Sequence, residues 1–160
     1  MGEIIRVYKV VSRNLTDMNG VNDYSDFPKV VADSGKRGIH FSDNPIEVFL
    51  WTHLFSKENT TKEDVKYLVL EIDSDDVFRS FINESPAVKK CHVVREMNID
   101  DIIDYFNSPN FKQEFCPKVA LEYIKSHSQK YWLDLKENLC KLNEDIIDLF
   151  KCDKDLNTKC

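Results

Sequence analysis

From Ile4 to Ser12 the chain reads Ile-Ile-Arg-Val-Tyr-Lys-Val-Val-Ser, with Ile5, Val7 and Lys9 on one side and Arg6, Tyr8 and Val10 on the other. A period of two in β-branched and aromatic residues predicts a half-buried strand. A polar run follows from Asn14 to Arg37, punctuated by Gly20, Pro28 and Gly35. Its length argues against a structureless loop, and Lys29-Val30-Val31-Ala32 inside it predicts a short strand. Gly38-Ile39-His40-Phe41-Ser42 then predicts a strand that runs straight into a helix from Pro45 to Phe55. Asn44 suits the N-cap of that helix and Pro45 its first position, and Glu47 stands where a capping box places its carboxylate. Ser56 to Asp64 is polar, a loop or one helical turn opened by Thr60 or Thr61. Residues 66–72, Lys-Tyr-Leu-Val-Leu-Glu-Ile, have a continuous apolar middle and predict a strand covered on both faces. Asp73-Ser74-Asp75-Asp76 ends it, and residues 90–97 predict another strand. Asn98 then caps a short helix with Ile99, Ile102, Ile103 and Phe106 on one face.

Helical signals fill the remainder. Ser108-Pro109 opens one helix, and Pro117 interrupts or restarts it on its way to Ser126. Ser128 opens a last helix reaching Lys151, with Tyr131, Trp132, Leu135, Leu139, Leu142, Ile146, Leu149 and Phe150 at steps of three and four. Strands early and helices late predict an α+β fold. The expected organisation is a single domain over 1–151, with a mixed-sheet part (1–107), a helical cap (108–151) and a flexible tail (152–160).

Composition narrows the function classes. A net charge of −6 and a pI of about 5.2 argue against phosphate-driven nucleic-acid binding and against docking on anionic membranes. The amino terminus lacks the apolar core of a signal peptide, and no apolar run approaches the length of a membrane span. Arg6 stands where a myristoylation motif wants Ser or Thr, so the expected location is the cytoplasm. The five cysteines are odd in number and widely spaced, with no Cys-x-x-Cys pair. They predict reduced, mostly buried thiols and no metal site. No Gly-x-Ser-x-Gly elbow or Gly-rich phosphate loop is present, which disfavours triad hydrolases, P-loop enzymes and Rossmann oxidoreductases.

The chemistry concentrates at the elbow. His40 and the first-turn amides are brought close together there, so His40, Ser42 and Asn44 are candidate ligand-binding residues, with Arg95 as a phosphate partner. The stretch Gly38-Ile39-His40-Phe41-Ser42-Asp43-Asn44-Pro45, the strand Tyr67-Leu68-Val69-Leu70-Glu71-Ile72, the segment from Cys91 to Ile99 and the helix around Phe115 to Tyr123 together resemble a domain group of phages and giant DNA viruses. No activity is established for that group, whose giant-virus members often precede ankyrin repeats. The resemblance spans residues 6 to 125 and implies a viral source and the cytoplasm of a host cell.

From Gly38 to Ile72 the chain is also similar to the ADP-ribosyltransferase superfamily, in which a Gly-Ile-Tyr-Phe elbow, a helix and an apolar strand ending in Glu-Val occur in this order. That resemblance implies a split β-sheet fold. It also implies a first-strand His or Arg holding NAD, an elbow Tyr stacking on nicotinamide, and a late-strand Glu stabilising an oxocarbenium-like transition state. Here Tyr8 or Lys9 stands near the first position, His40 replaces the Tyr, and Glu96 is the late-strand Glu. The sequence leaves open which face of its strand Glu96 takes.

Two functions follow as expectations. The first is an intracellular accessory or interaction domain with a protein partner, no nucleic acid, no membrane and no cofactor. The second is a mono-ADP-ribosyltransferase or NAD-cleaving enzyme with Glu96, His40 and Lys9 as an atypical catalytic set and NAD as cofactor.

Overall fold

The computed structural model describes residues 2–17, 21–52, 65–79, 85–109, 111 and 117–151. The chain divides into two compact units, Met1–Met97 and Asn98–Cys160. The first holds β1 (Ile4–Ser12), β2 (Lys29–Ala32), β3 (Ile39–His40), helix α1 (Glu47–Leu50), β4 (Val65–Asp73), β5 (Phe78–Arg79), β6 (Pro86–Val88) and β7 (Lys90–Glu96). The second holds α2 (Ile99–Phe106), α3 (Pro117–His127), α4 (Gln129–Glu137) and α5 (Glu144–Lys151). With antiparallel sheets in one unit and helices in the other, the fold is α+β.

The larger sheet has the order β1-β4-β7-β2 and the smaller β3-β6-β5, with every pair antiparallel. Tyr8 of β1 and Ser42 exchange backbone hydrogen bonds of 2.7 and 2.9 Å, which joins the chain beyond β3 to the free edge of β1. β1 pairs with β4 along its full length, from Ile4 opposite Asp73 to Ser12 opposite Val65. In an antiparallel ladder, residues directly opposite share a face. Val7, Val11, Leu68, Leu70, Ile72, Cys91, Val93 and Val31 therefore fall on one face, and they form the core with Tyr24, Ile39, Phe41 and Val88. Val69 and Tyr67 of β4 are buried on the other face, so the strand's apolar middle is covered on both sides as its pattern requires.

A β-bulge changes what β7 presents. Val93 opposes Leu70, but the register shifts there, so that Arg95 opposes Val69 and Glu96 opposes Leu68. Uninterrupted alternation from Val93 would put Arg95 on the core face. The extra residue, Val94, reverses this and gives the core face to Glu96.

Three expected elements come out shorter or broken. The strand over 38–42 contracts to Ile39–His40, because Gly38 enters with φ +84° and the chain leaves the small sheet at Phe41. A Cβ on Gly38 would lie 2.5 Å from Phe78 Cζ and 3.0 Å from Ala87 Cβ, so the close approach of β5 and β6 also requires glycine there. The helix expected from Pro45 begins at Glu47 and ends at Leu50, followed by a tighter turn at Trp51 and Thr52; its expected end, and the segment from Ser56 to Asp64, lie outside the described residues. The strands β5 and β6 have two and three residues, too short to leave a periodic signal.

In the helical unit, Asn98 caps α2 as expected and closes a capping box with Asp101, and Ile102, Ile103 and Phe106 are buried. Pro117 starts α3, and Ser128 caps α4 by accepting from the Tyr131 amide. The single helix expected over 128–151 is broken. α4 stops at Glu137, Leu139–Lys141 form a 3₁₀ turn, and Leu142 is extended before α5. Asn143 then caps α5, its Oδ1 taking the Ile146 amide at 3.1 Å. Trp132, Leu135, Leu139, Leu142 and Ile146 are nonetheless all buried. The apolar stripe survives because burial selects the side chains, whereas Asn138 and Asn143 satisfy the freed backbone groups at the break. Cys91 is a buried free thiol, as expected of the cysteines, but Cys140 is disulfide-bonded. The residues Cys116, Cys152 and Cys160 and the tail 152–160 lie outside the described residues.

Candidate functional site

Lys9 lies on the core face of β1, between Val7 and Val11, and is only 8 % exposed. An ammonium in that position needs a counter-charge and hydrogen-bond acceptors. It finds Asp17 Oδ1 at 3.3 Å and the His40 carbonyl at 2.9 Å, and it sits 5.7 Å from the centroid of the Tyr24 ring. Burial pulls the Lys9 pKa below its ordinary value, and the Asp17 carboxylate partly offsets that pull.

Asp17 is the hub of a larger network. Its Oδ1 also accepts from the Tyr24 hydroxyl at 2.7 Å, and its Oδ2 from Asn22 Nδ2 at 2.7 Å. Asn22 Nδ2 donates to Asp33 Oδ1 at 3.1 Å, while Asn22 Oδ1 accepts from the Ser34 amide at 3.0 Å. Asp33 takes the amides of Gly35 and Gly38 at 3.0 and 2.8 Å. Burial acts to raise the Asp33 pKa, but hydrogen bonds from Asn22, Gly35 and Gly38 outweigh it and hold the carboxyl below its ordinary value. Burial, with Asp17 alongside, pushes the Tyr24 hydroxyl far above its ordinary pKa, and burial raises the Cys91 thiol to about 11. The described residues from Asp17 to Gly38 that share these bonds are therefore a built structure, pinned to β1 through Lys9.

His40 stands at the edge of this network. Its carbonyl is used by Lys9, yet its Nε2 is buried without a hydrogen-bond partner among the described residues. Burial lowers the His40 pKa, and the neighbouring Lys9 charge lowers it further. Lys9 thus meets the main-chain carbonyl of His40, while the enzyme reading calls on the imidazole.

The elbow residues are committed to the elbow itself. Asn44 Oδ1 accepts from the Ile46 amide at 2.9 Å and the Glu47 amide at 3.4 Å, so it caps the first turn as its sequence position suggests. The expected capping box takes another form. Ser42 Oγ donates to the Glu47 carboxylate at 3.1 Å and accepts from the Asn44 amide at 3.0 Å, standing between the two groups that a capping box joins directly. With the amides of Ile46 and Glu47 already taken, a ligand cannot use them.

Glu96 lies in one row with Lys9, across Leu68, since Lys9 opposes Leu68 and Leu68 opposes Glu96. Two strand spacings separate Lys9 and Glu96 along that row, about 10 Å between backbones. The Glu96 carboxylate is 3.9 Å from Lys66 Nζ in a half-exposed pair. Arg95, on the opposite face, donates to the Glu96 carbonyl at 3.3 Å.

Asp17, Asn22, Tyr24 and Asp33 were not legible as a site, because their partners lie on other segments and isolated Asp and Asn residues in a polar run read as turn formers. The buried lysine in an otherwise apolar strand face was the one available signal. Among the described residues, no group of three or more His, Cys, Asp or Glu side chains is placed to hold a metal, and no helix is long and apolar enough to cross a membrane. No protein-family model, curated protein or solved structure matches the chain.

Proposed function

We propose that this chain is a non-catalytic accessory or interaction domain that acts through a protein partner. One observation carries this reading: of the polar side chains a catalytic site would need, Lys9, Ser42, Asn44 and Glu96 are committed to internal structure. Lys9 serves Asp17 and the His40 carbonyl, Ser42 and Asn44 build the first turn, and Glu96 pairs with Lys66. Catalytic groups must instead remain able to meet a reactant. The two antiparallel sheets, with Tyr8 and Ser42 forming a backbone bridge between their segments, support the split-sheet architecture that the elbow motif implies. The same motif supports a viral origin and action inside a host cell.

The purified chain is expected to leave NAD intact and to show no shift in melting temperature with NAD or ADP-ribose. A ligand that binds only the native state would raise it. NAD consumption that is lost in Glu96→Gln would sink this reading.

One observation favours the enzyme alternative, in which Lys9, His40 and Glu96 act on NAD. The bulge in β7 puts Glu96 on the same sheet face as Lys9, with His40 held at Lys9. The same assay decides it: turnover that falls in Glu96→Gln and in His40→Ala, with both variants still folded, would establish the alternative.

A further inference from the structure

We propose that His40 is a proton-operated latch fastening β3 and the elbow to β1. Hydrogen bonds from β1 hold this segment in place. They include Lys9 Nζ to the His40 carbonyl and the Tyr8–Ser42 backbone pair. β3 itself pairs with β6 through only two residues, Ile39 opposite Val88 and His40 opposite Ala87.

His40 occupies the centre of this attachment with a buried, unpartnered Nε2. A neutral ring tolerates the position, because one nitrogen carries no proton. A protonated ring does not, because both nitrogens must then donate and Nε2 has no acceptor. The charged groups facing it are Lys9 from β1, Asp17 from the segment after β1, and Asp33 and Arg37 from the segment after β2; β6 presents only Ala87. Lys9 and Arg37 oppose an imidazolium. Asp17 and Asp33 would favour it, but their oxygens are already engaged by Lys9, Tyr24 and Asn22, and by Asn22, Gly35 and Gly38. Burial and Lys9 together hold the His40 pKa down, so the closed segment binds a proton less readily than the open one. The closed state is fully favoured above the unfolded value of about 6.5 and loses ground as pH falls through and below it. On protonation the ring leaves its buried position and carries the His40 carbonyl away from Lys9. This device is independent of whether the chain binds a protein or NAD.

Residue-resolved amide exchange between about pH 8 and about pH 5, corrected for intrinsic exchange, tests the latch. Protection at Tyr8 and Ser42 is expected to fall on acidification by about tenfold for each unit by which the His40 pKa lies below its open-state value, while Leu68 and Val69 in the core stay unchanged. His40→Gln, which cannot titrate, should abolish the pH dependence at Tyr8 and Ser42. Protection that is flat with pH in the native chain, or the same loss in His40→Gln, overturns the proposal. If His40→Gln does not fold, NMR titration of the native His40 ring decides. A midpoint below the ordinary histidine value, shared by the Ser42 amide, supports the latch, and a midpoint at or above that value overturns it.

Discussion

The elbow at 41–50 and the polar excursion at 13–38 teach opposite lessons about where chemistry hides in a sequence. The elbow carries the recognisable motif, yet its polar groups satisfy one another within six residues, from Ser42 to Glu47. The excursion carries no recognisable motif, yet it supplies Asp17, Asn22, Tyr24 and Asp33 to a network around a buried lysine on another element. Local polar groups can close short-range hydrogen bonds without tertiary help. A buried ammonium cannot, and it must recruit distant partners. Dense motif residues thus mark a well-made turn here, whereas one misplaced lysine marks the organised polar centre.

Mutations of decreasing severity can break this contrast. Asp17→Ala removes the counter-charge of Lys9 together with the acceptor of Tyr24 and Asn22. Leaving a buried charge uncompensated should cost about 3–5 kcal/mol in denaturant unfolding. A loss below about 1 kcal/mol would mean that the network is solvated decoration after all. Next, Asn22→Leu strips Asp17, Asp33 and Ser34 of one partner each, with an expected loss of about 1–3 kcal/mol. Combined with Asp17→Ala it should be clearly less than additive, because both substitutions break one network. A strictly additive pair would divide the excursion into independent turns.

At the elbow, Asn44→Ala frees the Ile46 and Glu47 amides and should cost about 0.5–2 kcal/mol, while Asn44→Ser recovers most of that loss. A cost well above this range would mean that the elbow, like the excursion, carries long-range structure. The smallest effect is expected at Glu96→Gln. Its pair with Lys66 is long and half-exposed, so the change in stability should stay within about 1 kcal/mol. A larger loss would reveal a structural demand on Glu96 that the Lys66 pair does not explain.

Much of the scaffold was legible in one dimension. β1 and β2 have the predicted bounds, β4 runs one residue further at each end, and β7 stops one residue short. The caps at Asn98 and Ser128 stand where the spacing put them, and Asn44 caps the turn that precedes α1 rather than the helix itself. Such features follow from periodicity and from side chains reaching their own backbone, both of which are local. The last helix shows the limit. Its apolar stripe from Trp132 to Ile146 was readable, but the break at Asn138–Asn143 was not, because a three-and-four spacing is kept when helical turns are separated by a tight turn.

By itself, then, the sequence determined the order of the longer strands, the α+β class and the apolar sets that the longer elements bury. These depend on composition and period along a few neighbouring residues. Only the tertiary structure decided which polar groups meet. The bulge at Val94 turned Glu96 to the face of Lys9, Asp17 reached Lys9 across the excursion, and the His40 Nε2 was left buried without a partner. Each outcome depends on strand register and on segments distant in the chain. A one-residue shift in register reverses every side chain that follows it, and nothing local in the sequence records that shift.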